Sequence, residues 1–372
     1  MENIPFLIFS LLSINNISLK GYNDFFADYI DLKNTFSVKG IFVWMIFFSH
    51  YNQYFKKENL YTYKIILNCL GQKMVSMFLF YSGYGIYESI KKKGNKYSKS
   101  LLIKSLIIFI KSQLIILIFA LRCIIYKKKI TLKKYALAVF LYSSIGNSNW
   151  FAYTIILFYI YAFLSFVFIK NKKHYYLGII FITILCYLHG NFTYFYYYKR
   201  KRYAVDNILP FILGFSYSEI RKYTDKYIMK CDFSYFGILF SFSLIYCYFY
   251  INRNISIFMH ILMNGTFCII LVLVNMKVKF DNDFLKFLNV HSYSIYLLQK
   301  VIFAIFCEKK YLEGYECLRI FLQFNLIILI AITFDYSTSF IDKYFKRVDN
   351  RLEPKKYIQL NVETKRFIKI EK

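Results

Sequence analysis

The sequence predicts an all-α, polytopic membrane helix bundle of about ten transmembrane helices, and three observations lead to this prediction. Of the 372 residues, 58% are hydrophobic and only 19% are charged. Phe and Tyr contribute 42 and 38 residues, far more than a soluble protein of this length carries. Apolar runs of about 20 residues recur between basic clusters, which is typical of helices that cross a bilayer.

Ten apolar runs of spanning length follow one another: 36–55, 67–88, 101–125, 149–169, 175–190, 204–220, 234–251, 254–275, 287–306 and 318–341. The sixth run contains Asp206 and Pro210, and the fifth is short. A further piece at 135–147 fits either an extra span or a re-entrant segment. We expect three regions, namely an N-terminal segment 1–34, a transmembrane domain 35–341 and a basic cytoplasmic tail 342–372.

Basic loops predict the orientation of the bundle. The loop KKKGNKYSKS (91–100) and the tail after Ile341, which holds ten Lys or Arg, should both face the cytoplasm. An even number of spans, with both termini in the cytoplasm, satisfies both regions. Against it, the same count places the basic loop YKKKITLKK (126–134) outside.

The net charge of +28 does not by itself indicate a nucleic-acid partner. Of the 49 basic residues, 40 are lysine, in a composition also rich in Asn, Ile, Tyr and Phe, which an AT-rich genome would produce. No basic stripe of the kind that binds nucleic acid is evident, and attraction to anionic membrane lipids is favoured instead. The eight cysteines form no CxxC and the five histidines no HExxH, so no metal site is expected.

The segment KGIFVWMIFFSH (39–50) holds a basic residue at each end of an apolar run. Lys39 and His50 are eleven residues apart, close to three helical turns, so they share one face about 16 Å apart along the axis. An ionisable group within a span usually faces a cavity or a partner. If both residues face one cavity, they could bind the two ends of a long ligand. In the alternative interpretation, Lys39 reaches the interface and His50 caps the helix end among Tyr51, Asn52 and Gln53.

Small residues mark the second run, in FLFYSGYGIYES (78–89). Ser82, Gly83 and Gly85 would let a neighbouring helix approach closely. A thin backbone region beside His50 would equally make room for a substrate.

Two lysines lie within the third run, seven residues apart and nearly on one face. Lys104 and Lys111 could hold an anionic ligand such as phosphate, or could begin an interfacial amphipathic helix. Asp206 and Asp335 are candidate partners for buried cations.

Six segments match the motifs of one family in order and spacing: Lys39 and His50 in the first span, FLFYSGYG (78–85), KYSKSLLIKS (96–105), NWFAYTIILFY (149–159), NILPFILG (207–214) and HSYSIYLLQ (291–299). Together they resemble the bacterial acyltransferase type 3 proteins, integral-membrane O-acyltransferases that modify surface glycans. The resemblance covers most of 35–340. The chain departs from the family pattern in having only lysines where an arginine pair usually follows the second span, and Gln299 where the late motif has histidine.

The resemblance implies an O-acyltransferase of the plasma (inner) membrane. The donor would be acyl-CoA, most often acetyl-CoA, and the acceptor a hydroxyl of a glycan or lipid-linked sugar. His50 would act as general base or be transiently acylated, and Lys39 would meet the anionic end of CoA. The supporting residues would be Lys104 and Lys111 for the donor, and Ser82, Asn149 and Trp150 for the substrate.

Two other classes of protein compete with this interpretation. A polytopic transporter or flippase of a lipid-linked sugar or small molecule would have broken helices in two related halves and a site at the membrane midplane. A structural assembly subunit would leave no reason for Lys39 and His50 to share a face.

Overall fold

A computed structural model describes residues 4–54, 61–94, 96–197 and 206–352. These ranges form thirteen α-helices and a two-stranded antiparallel sheet. The helices are α1 Ile4–Ile14, α2 Leu32–Tyr54, α3 Tyr61–Lys93, α4 Lys96–Ile125, α5 Leu132–Val139, α6 Asn149–Phe166, α7 Tyr175–Tyr197, α8 Ile208–Ile228, α9 Asp232–Ile251, α10 Ile257–Lys277, α11 Asp283–Val290, α12 Ser292–Lys309 and α13 Glu316–Leu352. Strands β1 (Ile17–Leu19) and β2 (Val278–Phe280) pair in the register Ile17 with Phe280.

Six helical segments are long and apolar enough to cross a membrane: Lys96–Ile125, Asn149–Phe166, Lys172–Phe192, Asp232–Ile251, Ile257–Lys277 and Glu316–Asp349. Helices α11 and α12 qualify only together, as one broken span bent by 76°. The described residues therefore support an all-α, multi-pass membrane protein with six spans, or seven with the broken one, and not the count of ten.

Three of the ten expected spans, which correspond to α2, α3 and α8, are not apolar enough to count as candidate spans, and there is a physical reason for this. All three expected spans are helical where they are described; residue 55 of the first and residues 204 and 205 of the sixth lie outside the described residues. About half of α2 is buried by neighbouring helices, including the polar residues Asn34, Thr35 and Ser37. A helix covered by protein does not need a continuous apolar surface. The extra span considered at 135–147 is absent, because α5 ends at Val139 and turns follow it.

The helix pair α3 and α8 packs more closely than any side chain would permit. A Cβ atom at Gly83 would lie 2.2 Å from the carbonyl oxygen of Phe211, and one at Gly214 would lie 2.2 Å from that of Phe80. Gly83 thus has the close-approach role predicted for it. Gly85 does not, since a Cβ there would meet nothing within 4 Å.

The two basic regions expected in the cytoplasm begin at the same end of the bundle. Ser100, at the end of the loop 91–100, donates a hydrogen bond of 2.5 Å to Asp349 near the end of α13. Helix α13 continues past Ile341 to Leu352, so the boundary expected at 341/342 falls inside a helix. Residues 353–372 of the tail lie outside the described residues.

The loop 126–134 lies at the opposite end, as the expected helix count required. Helix α4 is continuous over 30 residues, or about 45 Å, and separates the two basic loops. Arg122 and Lys128 at this end both form ion pairs with Glu308 of α12. Glu308 therefore offsets part of the positive charge that conflicts with the orientation rule.

Candidate functional site

A cavity of about 210 Å³ lies among α2, α3, α4, α6 and α12. Its wall is mostly apolar, with hydroxyl and amide groups at a few positions. The lining residues on the first three helices are Val43, Ile46, Val75, Phe78, Ser82 and Ile108, and those on the last two are Phe151, Ile155, Tyr159, Ser292, Tyr293, Ile295, Tyr296 and Gln299.

One face of α2 connects both predicted site residues to this cavity. Val43 and Ile46 line it, and they follow Lys39 by four and seven residues and precede His50 by seven and four. Residues at these intervals form a single stripe along a helix. Lys39 and His50 therefore flank the cavity at the two ends of the stripe and do not themselves line it.

His50 is partly buried at the end of this stripe. Its Nδ1 lies 3.2 Å from Gln53 Oε1, the neighbour that the capping interpretation expected. Because a carbonyl oxygen can only accept, Nδ1 donates the hydrogen and Nε2 keeps the basic lone pair. The imidazole ring also contacts Tyr296 of the cavity wall, with 6.0 Å between ring centroids. His50 thus has both an orienting partner and a contact with the cavity wall.

Lys39 is held by an aromatic ring. Its Nζ lies 5.1 Å from the ring centroid of Tyr81 on α3, within the range of a cation–π interaction. No carboxylate pairs with Lys39 in the part of the chain that the structure describes. The ammonium group is therefore able to take an anionic group of a ligand as its counter-ion.

Lys104 and Lys111 each have a partner of their own. Lys104 Nζ donates to the Tyr97 hydroxyl at 2.5 Å and lies 4.5 Å from the centroid of the same ring. Lys111 forms an ion pair of 2.8 Å with Asp342 on α13. The two lysines do not converge on one position, and their role with a phosphate stays a prediction.

The three residues predicted to bind substrate have different positions. Ser82 lines the cavity and donates a hydrogen bond of 3.3 Å to Tyr159. Asn149 is buried at the first position of α6, where its amide group donates to the Ser143 carbonyl at 2.9 Å. Trp150 packs edge-on against Phe151, and that neighbour lines the cavity. Of the three, only Ser82 belongs to the cavity wall.

Gln299 is a cavity residue that the sequence marked only as a departure from a motif. Its side chain is fully buried, and Nε2 donates to the Tyr296 carbonyl at 3.1 Å. Oε1 has no hydrogen-bond partner among the described residues. A buried acceptor without a partner is costly, so its presence in a cavity wall points to a ligand that donates to it.

Sequence reasoning also missed one residue on α12 and one pair of side chains at the break before it. Lys300, next to Gln299, lies close enough to His50 for its charge to act on the imidazole. At the break before α12, His291 Nδ1 lies 2.6 Å from Asp335 Oδ2, and Ser294 bonds to the other carboxylate oxygen. Asp335 was expected to pair with a buried cation, and its partners are His291 and Ser294. These contacts join elements far apart in sequence, so no local pattern could have revealed them.

No family model, no curated protein and no solved structure matches the chain. Within the described residues, no group of three or more His, Cys, Asp or Glu is placed to hold a metal ion. The helices themselves show the all-α, multi-pass membrane architecture, and the resemblance to the acyltransferase type 3 proteins depends on the six motif segments. The α2 stripe, with Lys39 and His50 at its ends and an apolar cavity beside it, is the feature from which a function can be inferred.

Proposed function

We propose that this chain is a membrane-bound O-acyltransferase that moves an acyl group from acyl-CoA to a hydroxyl of a cell-surface polysaccharide or other glycan. The observation that carries the proposal is the α2 stripe, where Lys39 and His50 flank a cavity whose wall includes Val43 and Ile46. The order of the six motif segments supports the same reaction class.

In the proposed reaction, His50 removes the proton from the attacking sugar hydroxyl. Its Nε2 is the basic nitrogen because Nδ1 is bonded to Gln53. The hydroxyl oxygen then forms a bond to the thioester carbonyl carbon, and the carbon–sulfur bond breaks. The departing CoA thiolate takes the proton back from the imidazolium, which restores neutral His50. A transiently acylated His50 would give the same products in two steps.

We further propose that the chain crosses the plasma membrane ten times with both termini in the cytoplasm. The six apolar spans and the broken span α11–α12 would be joined by α2, α3 and α8. These three helices have 23, 33 and 21 residues, enough for about 30 Å of hydrocarbon. The polar residues Asn34, Thr35 and Ser37 of α2 are already buried by neighbouring helices. Cysteine labelling from each side of the membrane, at the loops 91–100 and 126–134, tests this topology.

Substitution of Lys39 by alanine should raise the KM for acyl-CoA with a smaller change in kcat. Lys39 lacks a carboxylate partner among the described residues, so its charge is available for the phosphates of CoA. A charge-assisted hydrogen bond contributes about 1.5–3 kcal/mol, which corresponds to roughly 10- to 100-fold in KM. The KM is measured from initial rates over a range of acyl-CoA concentrations. Lys39→Arg keeps the charge and should retain most of the affinity, and an unchanged KM in Lys39→Ala would contradict the role.

The direct test of the function uses the purified full-length chain in lipid vesicles with acyl-CoA and a glycan. Free CoA thiol and ester-linked acyl groups should appear in equal amounts. In cells, deletion of the chain should lower the ester content of the surface glycan, and the wild-type chain should restore it. Thiol release without ester formation would contradict transfer to a glycan.

One observation favours a transporter of a lipid-linked sugar as a second candidate. The broken span α11–α12 bends by 76°, and Ser292 and Tyr293 after the break line the cavity. Broken helices form the substrate sites of many transporters, and the His291–Asp335 pair could carry a proton. This candidate predicts movement of the sugar across vesicles without consumption of acyl-CoA.

Substitution of Gln299 by leucine should stabilise the protein and at the same time reduce acyl transfer. It removes a buried amide whose Oε1 has no partner among the described residues. Burial of such an acceptor costs about 1–3 kcal/mol, so the free energy of unfolding should rise by about that amount. The substitution also removes the group that would accept a hydrogen bond from the ligand. The thermal midpoint in detergent and the transfer rate are measured together.

Gln323 provides the matched control for this prediction. Its side chain is also fully buried, with neither Oε1 nor Nε2 hydrogen-bonded among the described residues, but it does not line the cavity. Gln323→Leu should therefore raise the thermal midpoint and leave transfer unchanged. Equal activity of the two leucine variants would show that Gln299 has no ligand role.

A further inference from the structure

We infer that the cavity binds the acyl chain of the donor, and that the preferred chain has about eight carbon atoms, by proportion to cavities of known contents. This inference rests on the acyl-transfer function proposed above. It concerns which acyl-CoA the site uses, and it replaces acetyl-CoA as the expected donor.

The chemistry of the wall selects an alkyl chain. Most of the wall is formed by aliphatic and aromatic side chains from all five helices: Val43, Ile46, Val75, Phe78, Ile108, Phe151, Ile155 and Ile295. An acetyl group presents one methyl group and would leave most of this surface without a partner. The pantetheine arm of CoA carries amides that need hydrogen-bond partners, so it is poorly matched to such a wall.

The volume of the cavity sets the length of the chain. An apolar protein cavity of about 150 Å³ accommodates benzene, with six carbon atoms. In proportion, the 210 Å³ found here corresponds to about eight carbon atoms. A polyprenyl tail of a lipid-linked sugar, with several times as many carbon atoms, would exceed this volume. The donor chain is therefore favoured over the lipid tail of an acceptor.

The polar groups are suitably placed for the reacting end of such a chain. Tyr296 contacts the His50 ring, and the next turn of α12 brings Gln299 to the same wall. The buried Oε1 of Gln299 can accept a hydrogen bond from a second hydroxyl of the sugar, while the attacking hydroxyl gives its one proton to His50. The thioester would then lie beside these groups, and the alkyl chain would fill the apolar part of the cavity.

The test is a chain-length series of acyl-CoA donors with the reconstituted full-length protein, from acetyl through butyryl, hexanoyl, octanoyl and decanoyl to palmitoyl. We expect kcat/KM to rise about fourfold per added methylene up to about eight carbon atoms and to fall for palmitoyl. A maximum at acetyl would overturn the inference while leaving the transferase function intact. A continuous rise to palmitoyl would overturn it as well, because it would indicate a lipid-like groove. If no donor in the series supported transfer, the proposed function itself would be contradicted.

Two variants should shift the optimum in opposite directions. Ile155→Phe reduces the cavity and should favour shorter chains, whereas Phe151→Ala enlarges it and should favour longer ones. Leu117→Phe is the control, because this α4 side chain is 50% exposed on the outside of the bundle and should cause no shift. Loss of stability lowers activity with all donors alike and cannot produce opposite shifts. An unchanged optimum in both cavity variants would contradict the assignment.

Discussion

Substitution of His50 by alanine should lower the rate of acyl transfer by about 10²- to 10⁴-fold, the usual contribution of a general base. The expectation follows from two contacts and the position of His50 on α2. The Gln53 bond orients the ring, the Tyr296 contact brings it to the cavity wall, and the α2 stripe connects it to Lys39. The variant should still insert into the membrane, because an alanine is readily accommodated in a helix. The transfer rate in vesicles and the amount of folded protein are measured in parallel.

His174 is the matched control for this variant. It is exposed in the short 3-10 turn before α7, so His174→Ala should transfer acyl groups at the wild-type rate. Gln53→Ala should have an intermediate effect, since it releases the imidazole without removing it. Normal ester content of the glycan in cells that carry only His50→Ala would exclude His50 as the base.

The largest expected effect on stability comes from Gly83. A methyl group at this position would meet the backbone of Phe211 at 2.2 Å, and a backbone oxygen cannot move aside as a side-chain end can. Overpacking of a core costs about 1–3 kcal/mol and occasionally more, and we expect Gly83→Ala to lie at the upper end. The separation of α3 and α8 would also move the adjacent Ser82, so the activity of any folded fraction should fall.

Gly85 on the same helix offers a stringent comparison. A Cβ atom there meets nothing within 4 Å, and alanine favours a helix by up to about 1 kcal/mol over glycine. Gly85→Ala should therefore have a thermal midpoint in detergent equal to or above that of the wild type. If the two alanine variants had the same midpoint, the close approach of α3 and α8 would not be a source of stability.

The helices could largely be predicted from the sequence, whereas the number of spans could not. Apolar runs locate α4, α6, α9 and α10 because lipid-facing helices need apolar side chains along most of their surface. Helix α2 has many polar residues and its position depends on the protein around it, which a hydropathy pattern does not report. The break at His291 is equally invisible, since 287–306 reads as one continuous run.

The candidate site, too, could be predicted from the sequence only in part. The spacing of Lys39 and His50 was sufficient to place them on one face of α2, because helical periodicity is a local property. The same spacing rule suggested a phosphate site at Lys104 and Lys111. Their actual partners, Tyr97 and Asp342, are chosen by how α4 packs and not by the period of the helix.

By itself, the sequence determined that this is a helical membrane protein and that an ammonium and an imidazole group share one face of α2. Both conclusions follow from local rules, namely hydrophobic length and helical period. Only the tertiary structure decided that this face borders an apolar cavity with the buried Oε1 of Gln299 in its wall. A cavity is formed by helices distant in sequence, and its size depends on how closely they pack, which no single segment encodes.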